Sequence, residues 1–327
     1  MLSLIENKEK VYPKVSIIIL NWNRLEDTIE CLESLKKIMY PNYDVILIDN
    51  GSSGNDAEVL KSKFGNDLFL IANDKNYGFS GGTDIGIKYS LENSQPDYIL
   101  SLNNDTIVEP KFLNRLVEAA ESDKSVGIAG PKVYYYDNPD RILSLGLRIV
   151  MGIGLSYSIG KGKIDSDRIS QHYDVDYVDT CLLIKTEVIS KIGLFDESYF
   201  CFWEDADYCI RARKAGYKTV CVHEAKIWHK KRVKKTTIDK LSEGMNVSES
   251  VQYYNTRNSF IFMRKHATKW QYLLFLCFLF GCYVWLMLIV LNLFYREPKR
   301  FASFCSGIND GLLSRSGERI PVFIKNK

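Results

Sequence analysis

Two hydrophobic periods alternate along residues 14–136. Between short, continuous apolar runs, apolar residues recur at the three- and four-residue spacing of an amphipathic helix, as Ile29, Leu32 and Leu35 do. The pattern predicts strands at 15–20, 45–48, 68–72, 98–102 and 126–129, and helices at 25–38, at 56–64, from about 82 and after Pro110. Because strands without a polar face belong inside a parallel sheet covered by helices, we expect an α/β fold.

A long stretch near the C-terminus carries no charge. Residues 272–294 include no charged side chain, and about 23 residues at about 1.5 Å each span about 35 Å, more than the about 30 Å of a membrane's hydrocarbon core. A buried core helix is the alternative, but the stretch lacks a polar face. Basic residues flank it on both sides: Lys265, Lys269, Arg296, Lys299 and Arg300. The pattern predicts a membrane segment at 270–295, followed by a basic C-terminal tail at 296–327.

Counting basic residues does not orient this segment. Four precede it and four follow it, so the positive-inside bias favours neither direction; they are Arg257, Arg264, Lys265 and Lys269 before it, and Arg296, Lys299, Arg300 and Arg315 after it. Since so basic a tail is awkward to export, we expect a monotopic or re-entrant arrangement that keeps both flanks cytoplasmic.

Composition and charge exclude several classes. Lys and Arg number 43 against 40 Asp and Glu, a net charge of +3, which is too balanced for a nucleic-acid-binding surface. The eight cysteines form no CxxC pair, and nothing before the first strand resembles a secretory signal, so we expect reduced thiols in the cytosol. The spacing of Cys209, Cys221, His223 and His229 is too long to favour structural zinc.

Polar residues follow three of the predicted strands: Asn21 to Asn23, Asp49 to Ser53, and Asn103 to Thr106. Any one of these loops is explained by turns and helix caps. Together they indicate a ligand site, because open α/β sheets bind ligands outside the carboxyl ends of their strands. Neither a GxGxxG fingerprint nor a Walker lysine loop is present, which disfavours a Rossmann oxidoreductase. A bound diphosphate would therefore need a divalent cation, and Asp105 could hold one.

A series of motifs then resembles a known family. In order, VSIIILNWN at 15–23, DNGS at 49–52, NYGFSGG at 76–82, NNDT at 103–106, GP at 130–131, GLFDE at 193–197 and WEDAD at 203–207 resemble the family 2 inverting glycosyltransferases of the GT-A fold. The chain is most similar to the rhamnosyltransferase-like branch, and the resemblance covers about residues 14–235. It implies a GT-A domain at 14–265, with a nucleotide-binding half at 14–136 and an acceptor and catalytic half at 137–235.

The resemblance also implies roles for single residues. Asp49 would accept a hydrogen bond from the nucleotide base, and Asp105, in the DxD-type motif, would bind Mg²⁺ or Mn²⁺ together with His229. The alternative for His229 is a histidine that packs at a strand end. The first position of the DxD-type motif is Asn103, so one carboxylate carries the metal. The further nucleotide-binding residues are Asn21, Asn76, Gly81, Asn103 and Asn104.

Two acidic residues are candidates for catalysis. Asp205 would be the general base that takes a proton from the acceptor hydroxyl in a single inverting displacement, and Glu204 would support it. The pattern places both just before a helix at 208–215. Acids in a first helical turn are also common because they interact favourably with the helix dipole.

The chain departs from the family at one place. Many relatives read Ser-Gly-Ala where this sequence has Val178, Asp179 and Thr180, which bears on the identity of acceptor and donor sugar. Just before it, residues 134–177 are rich in glycine and weakly periodic, as expected of an acceptor-side flap. The glycines at 78, 81 and 82 fit either a nucleotide-binding loop or plain helix entry.

The sequence thus predicts a metal-dependent transferase at the cytoplasmic face of the membrane. It would move a sugar from a UDP- or dTDP-sugar to a hydroxyl of a surface glycan or a lipid-linked saccharide, with no nucleic-acid partner. A non-catalytic scaffold of the same fold is the alternative from another class. Such a scaffold would be expected to lose Asp105, Asp205 or His229, and all three are present.

Overall fold

The structure is a computed structural model that describes residues 12–165, 173–231, 248–294 and 296–319. The strands are β1 (Val15–Asn21), β2 (Tyr43–Asp49), β3 (Phe69–Ala72), β4 (Tyr98–Asn103), β5 (Thr106–Val108), β6 (Val126–Tyr135), β7 (Asn138–Ser144), β8 (Leu147–Val150), β9 (Leu155–Ser158), β10 (Tyr173–Asp174), β11 (Cys181–Lys185) and β12 (Lys218–His229).

The helices are α1 (Leu25–Leu35), α2 (Asp56–Phe64), α3 (Gly78–Asn93), α4 (Phe112–Ser122), α5 (Thr186–Ile192), α6 (Glu204–Lys214), α7 (Glu249–His266), α8 (Lys269–Phe278), α9 (Val284–Leu288) and α10 (Pro298–Leu312). The predicted alternation of strands and helices in the first 136 residues is confirmed.

One large sheet organises the domain. Its order is β10-β12-β6-β11-β4-β1-β2-β3, with β5 paired to β12 and β7 paired to β6. The pairs β1–β2, β1–β4 and β2–β3 are parallel, whereas β11 runs antiparallel between β4 and β6. Asn21 lies opposite Asp49 in the β1–β2 register. The polar loops after β1, β2 and β4 therefore meet at one edge of the sheet.

Both faces of the sheet are buried. Along β1, Ile17 and Ile19 belong to one hydrophobic cluster and Ile18 to the other, and none of the three is more than 2% exposed. Successive strand residues point to opposite faces, so a strand between two helical layers needs apolar residues at every position. This explains why the strand segments read as continuous apolar runs.

The structure differs from the sequence-based expectation in the middle of the chain. The strand expected at 126–129 continues through Pro131 to Tyr135. Gly130 allows this path, because a Cβ at that position would lie 2.7 Å from the Cβ of Val178. Residues 134–177, expected as an acceptor-side flap outside the core, contain β7, β8, β9 and β10. Leu143 and Leu145 of this region are buried and tie it to the core.

Helix α6 begins earlier than the sequence suggested. It starts at Glu204, so Glu204 and Asp205 lie in its first turn and not before it. Trp203, immediately before, has a left-handed φ of 73°, which turns the chain sharply into the helix. Helix α3 likewise starts at Gly78, about four residues before the predicted position.

The C-terminal region is a three-helix unit. Helix α7 is followed by a helix at Lys269–Asn292, which we call the apolar helix; it comprises α8, α9 and two π-helical segments. Helix α10 then packs on α7, where a Cβ on Gly307 would lie 2.8 Å from the Cβ of Thr256. Phe304 of α10 is fully buried. The stretch 296–327 predicted as a tail therefore contains a helix that belongs to the core.

Candidate active site

A hydrogen-bonded network joins three of the predicted nucleotide-binding residues. Asp49, 5% exposed at the end of β2, accepts bonds from Asn21 Nδ2 at 2.8 Å and from Ser52 Oγ at 2.6 Å. Thr28 Oγ1 donates to Asn21 Oδ1 at 2.8 Å, and Asn104 Nδ2 donates to the same hydroxyl at 2.7 Å. Asn21, Asp49 and Asn104 thus form one preorganised group at the carboxyl edge of the sheet.

A second network shapes the entry of α3. The Nδ2 atom of Asn50 donates to Asn76 Oδ1 at 3.0 Å and to the Gly78 carbonyl at 2.9 Å. Asn76 Oδ1 also accepts from the Gly78 amide at 2.7 Å. A Cβ on Gly81 would lie 3.2 Å from the Cβ of Tyr77, a tight contact. Asn76 and Gly81 therefore fix the loop that precedes the helix.

Asp105 and His229 face each other directly. Strand β5 pairs antiparallel with β12 and sets Thr106 opposite His229, which brings His229 Nε2 within 2.9 Å of Asp105 Oδ1. Arg24 lies 3.8 Å from the other carboxylate oxygen. Burial alone would raise the pKa of Asp105, but the hydrogen bond and charge of His229, with Arg24 and Lys231, lower it below its usual range. Asp105 is therefore ionised at neutral pH.

This pair fits a divalent cation in part. A carboxylate oxygen and an imidazole nitrogen are a donor set that Mn²⁺ accepts, and a carboxylate also suits Mg²⁺. His229 is 4% exposed, and among the described residues its Nδ1 has no hydrogen-bond partner. Within that part of the chain no group of three or more His, Cys, Asp or Glu side chains is arranged to hold a metal. The remaining ligands would have to come from a bound diphosphate and water.

The hydrogen bonds of Asn103 in this structure are made by its backbone amide and carbonyl groups. Its amide donates to the Thr180 carbonyl at 2.9 Å, and its own carbonyl accepts from Thr106 Oγ1 at 2.7 Å. Thr180 has a left-handed φ of 71°. The loop that carries Asp105 is thus tied to the segment 178–180.

Glu204 and Asp205 line a cavity of about 380 Å³. Asp179 joins them, so three carboxylates occupy one part of its wall. Glu204 is 6% exposed, and neither its Oε2 atom nor Asp205 Oδ1 has a hydrogen-bond partner among the described residues. Buried carboxylate oxygens without a partner call for an explanation, such as a catalytic role or a bound water. The volume lies in the usual range for small-molecule sites.

The pKa shifts separate the acids of the first turn of α6. Burial raises the pKa of Glu204. Burial and the charges of Glu204 and Asp179 raise the pKa of Asp205. For Asp207, burial is outweighed by hydrogen bonds from His266 and Lys265 and by the charge of Arg211, which lower its pKa. A carboxylate with a raised pKa is suited to accept a proton, whereas Asp207 has a structural role.

The loop before α6 is strained. Phe200, Phe202 and Trp203 all have φ values between 64° and 73°, a conformation that side chains other than glycine seldom adopt. The Phe200 carbonyl accepts the Phe79 amide at 2.6 Å, which links this loop to the entry of α3. Such conformations persist only where the surroundings enforce them.

Two residues of α7 enforce this conformation. Asn258 Nδ2 lies 2.9, 2.7 and 2.8 Å from the carbonyl oxygens of Tyr199, Cys201 and Phe202. Arg257, fully buried, donates to the Tyr199 carbonyl at 2.8 Å and to the Ser198 carbonyl at 3.2 Å. Counting Arg257 among the charges that flank the membrane segment was therefore wrong, because its guanidinium lies inside the domain.

Sequence reasoning missed the function of Arg257 and Asn258. The bonds from Arg257 to Tyr199 and from Asn258 to Phe202 join residues 58 and 56 positions apart, so no local pattern connects them. The available signal was their setting, an Arg-Asn pair between aromatic residues of a helix, where a solvent-facing charge is not expected. The role of Thr28 and Ser52 in the network around Asp49 was likewise missed.

Comparison with known proteins finds glycosyltransferases by sequence and by structure. The sequence profile described as "Glycosyl transferase family 2" matches residues 16–193. The chain is 25% identical over 309 residues to the low-salt glycan biosynthesis hexosyltransferase Agl10 of Haloferax volcanii, covering 93% of this chain and 92% of that protein. It is also 25% identical to the dTDP-rhamnosyl transferase RfbF of Shigella flexneri, covering 69% of this chain and 72% of that protein.

Another relative is the N-acetylglucosaminyl-diphospho-decaprenol L-rhamnosyltransferase of Mycobacterium tuberculosis, with 25% identity over 57% of this chain and 66% of that protein. Among solved structures, the mannosyltransferase PcManGT from Pyrobaculum calidifontis in complex with GDP-Man and Mn²⁺ aligns with a TM-score of 0.56 at 12% identity. The alignment covers 94% of this chain and 89% of that one. GalNAc-T7 with UDP, GalNAc and Mn²⁺ gives a TM-score of 0.55 at 14% identity, covering 75% and 48%. These similarities confirm the predicted GT-A-like fold.

Proposed function

Because the chain belongs to glycosyl transferase family 2 and is a glycosyltransferase, we propose that it carries out a metal-dependent, inverting transfer from a nucleotide sugar during glycan assembly at the membrane. The observation that carries the proposal is the Asp105–His229 pair, 2.9 Å apart, at the edge of the sheet where the polar loops meet. A UDP- or dTDP-sugar is proposed as the donor, supported by the similarity to the dTDP-rhamnosyl transferase RfbF and to GalNAc-T7 with UDP.

The donor would lie on the half formed by residues 14–136. There Asp49, held by Asn21 and Ser52, would accept from the base. The remaining donor contacts would come from the two networks and the loop before Asp105: Asn21, Asn76, Gly81, Asn103 and Asn104. Residues 137–235 would bind the acceptor, within a catalytic domain that spans 14–265.

The metal site would work through two side chains. Asp105 and His229 would hold Mg²⁺ or Mn²⁺, which when bound stabilises the charge of a leaving diphosphate without proton transfer. Asp105 is ionised and so is ready to bind a cation. His229 offers Nε2 on the side that faces Asp105.

Asp205 would act as the general base. Its carboxylate lines the cavity with one oxygen free, and its raised pKa makes it a better proton acceptor than an exposed aspartate. Glu204 is adjacent and shares the cavity, so it would orient the acceptor hydroxyl and tune Asp205 by its charge.

The metal site can be tested by calorimetry. In Asp105→Ala and His229→Ala, we expect binding of UDP or dTDP to lose its dependence on Mn²⁺, because each variant removes one of the two protein ligands. Second-sphere changes at metal sites already cost about 10 to 100-fold in affinity, and loss of a ligand should cost at least that. Asp67→Asn, an exposed aspartate before β3, is the matched control. Undiminished metal dependence in both variants would contradict the assignment.

The pH dependence tests how the two acids divide their roles. A general base must be ionised, so turnover should fall as the pH decreases through the raised pKa of Asp205. Glu204→Gln removes a neighbouring negative charge and should lower that pKa, which moves the acid limb of the pH–rate profile to lower pH. A limb that stays in place in Glu204→Gln would mean that the two carboxyl groups do not interact.

Membrane attachment is proposed from the apolar helix. It has 24 residues and a mean hydropathy of 2.7 over its most apolar window, of which 17% is buried, so it is long and apolar enough to cross a membrane. Its exposed side chains include Trp270 at 76% exposed and Trp285 at 60%. An exposed apolar helix of this length, with a tryptophan in its first turn, is typical of contact with lipid.

The path of the chain favours a monotopic or re-entrant arrangement. Arg264 of α7 donates to Tyr272 OH at 3.2 Å, near the start of the apolar helix. It also donates to the Leu312 carbonyl at 2.9 Å, at the end of α10. The start of the apolar helix and the end of α10 therefore lie close together, on the same side of the catalytic domain. A single crossing would place α10 and α7 on opposite sides, so both flanks belong at the cytoplasmic face.

Cysteine labelling tests this topology. Leu313, 55% exposed at the end of α10, is replaced by Cys in a chain whose exposed Cys277, Cys282 and Cys305 are changed to Ser. We expect a membrane-impermeant maleimide to label Leu313→Cys only after the cells are opened. Labelling of intact cells would show that the segment spans, although attachment to the membrane would remain.

A further inference from the structure

The cavity beside Glu204 and Asp205 has three chemically different walls. One wall carries the carboxylates of Asp179, Glu204 and Asp205. A second wall is a polar stripe on α7 at the i, i+3, i+4 and i+7 spacing of one helix face: Gln252, Asn255, Thr256 and Ser259. The third wall is apolar and comes largely from the apolar helix: Phe275, Phe278, Leu279 and Tyr283.

The polar stripe is unusual for a buried helix face. Gln252 is 4% exposed, yet among the described residues its Oε1 atom has no hydrogen-bond partner. Glu204 Oε2, in a side chain 6% exposed, is equally without one. Buried polar atoms are normally paired, and an unpaired one calls for an explanation, such as a catalytic role or a bound water or ion. Amide and hydroxyl groups on one face, opposite carboxylates, suit the hydroxyls of a sugar ring.

The apolar wall joins this polar stripe to the apolar helix. Phe275 packs on Phe260 with ring centroids 5.2 Å apart, and Phe278 stacks on Tyr283 at 5.8 Å. Leu279 and Tyr283 lie in the first π-helical segment, a rare geometry that occurs frequently at functional sites. The same helix that exposes Trp270 and Trp285 thus lines the catalytic cavity with its other face.

The charge of the cavity wall determines which ligands with a polar and an apolar part can bind. Among the described residues that line the cavity none is Lys, Arg or His, whereas three are acidic. A phosphate inside the cavity would be placed beside carboxylates, and like charges at close range cost several kcal/mol. An uncharged ligand meets no such penalty. If the ligand is a lipid with a diphosphate group, that group would have to lie outside the cavity.

We propose that the cavity binds the acceptor as an uncharged sugar joined to an apolar group, with the sugar on the α7 stripe beside Glu204 and Asp205 and the apolar group against Phe275, Phe278 and Leu279. The acceptor class is therefore a membrane glycolipid that is neutral at this position, and not a soluble saccharide. This inference rests on the proposed function, since it takes Asp205 as the base.

The test uses the full chain in lipid nanodiscs with UDP and Mg²⁺, titrated by calorimetry against empty nanodiscs. The probes are the n-octyl β-glycosides of glucose, galactose, rhamnose and N-acetylglucosamine, the same sugars without the chain, and octyl phosphate. We expect at least one octyl glycoside to bind about tenfold or more tightly than its free sugar and than octyl phosphate, the effect of burying an apolar group in a pocket without cations.

Matched variants distinguish the contributions of the apolar wall and of the polar stripe to binding. Phe278→Ala should weaken the best octyl glycoside by about tenfold and leave the free sugar unchanged, whereas Asn255→Ala should weaken both by the same factor. Leu286→Ala, on the same helix but 45% exposed and outside the cavity, is the control and should change neither.

Three results would overturn the proposal. They are octyl phosphate binding as tightly as the glycosides, equal losses in Phe278→Ala and Leu286→Ala, or no glycoside bound above empty nanodiscs. Metal-dependent UDP binding is measured on the same samples. If it persists while the glycosides fail, the acceptor assignment alone is wrong and the proposed function stands.

Discussion

Replacing Asp205 with Asn is expected to lower turnover by about 10² to 10⁴-fold, the usual contribution of a general base. Asn has the shape of Asp but cannot take up the acceptor's proton. Asp205 lines the cavity with a free oxygen and lies outside the hydrogen-bonded networks around Asp49 and Asn50. The affinity for UDP or dTDP with Mn²⁺ should therefore persist. Single-turnover kinetics and calorimetry on the same preparation measure the two quantities separately.

Glu204→Gln is the discriminating partner for this variant. The two acids are neighbours in the first turn of α6, and both are in contact with the cavity. If Asp205→Asn keeps near-native turnover and Glu204→Gln loses it, the base is Glu204. A loss of nucleotide binding in Asp205→Asn would mean that the residue acts on the donor, contrary to the role proposed here.

Replacing Arg257 with Ala is expected to destabilise the domain by about 3 to 5 kcal/mol, in the range of large-to-small substitutions at fully buried sites. The guanidinium is fully buried and donates to the carbonyl oxygens of Ser198, Tyr199 and Gly317. Its removal takes one donor from each of these carbonyl groups and opens a cavity beside Tyr253 and Tyr254. A fall in Tm of roughly 5 to 10 °C should follow.

Arg264 of the same helix provides the control for Arg257. It is exposed and bonds to Leu312 and Ser314 at the end of α10, so Arg264→Ala should cost less than about 1 kcal/mol. Thermal unfolding of both variants in the same nanodiscs makes the comparison direct. Equal changes in Tm for the two variants would mean that the burial of Arg257 does not contribute to stability. Arg257→Lys keeps the charge but lacks the fork of donors, and should recover only part of the loss.

The first half of the fold was predictable because its signals are local. Continuous apolar runs mark β1, β2 and β4, and the polar residues that follow each run mark the edge where the site forms. Asp105 and His229, implied by resemblance, do meet in the structure, because β5 pairs with the end of β12.

The other features of the fold and of the site could not be predicted, because they depend on contacts between residues that are distant in sequence. Arg257 lies 58 positions from Tyr199, so only the folded chain shows that it holds the loop before α6. Strand β6 crosses Pro131, a residue that normally indicates an interruption, and Gly130 beside it makes room for Val178, 48 residues later in the chain. Likewise, composition could identify the apolar helix but could not show that one of its faces lines the cavity beside Glu204 and Asp205.

The most direct test of metal-dependent inverting transfer is the configuration of the sugar that leaves the donor. The full chain is incubated with a panel of UDP- and dTDP-sugars and Mg²⁺, and slow hydrolysis of the donor is followed by proton NMR before the free sugar mutarotates. A single displacement by water predicts that the first sugar to appear has the anomeric configuration opposite to the donor's, and that EDTA stops its formation. Initial release with retained configuration, or at an undiminished rate in EDTA, would contradict the account.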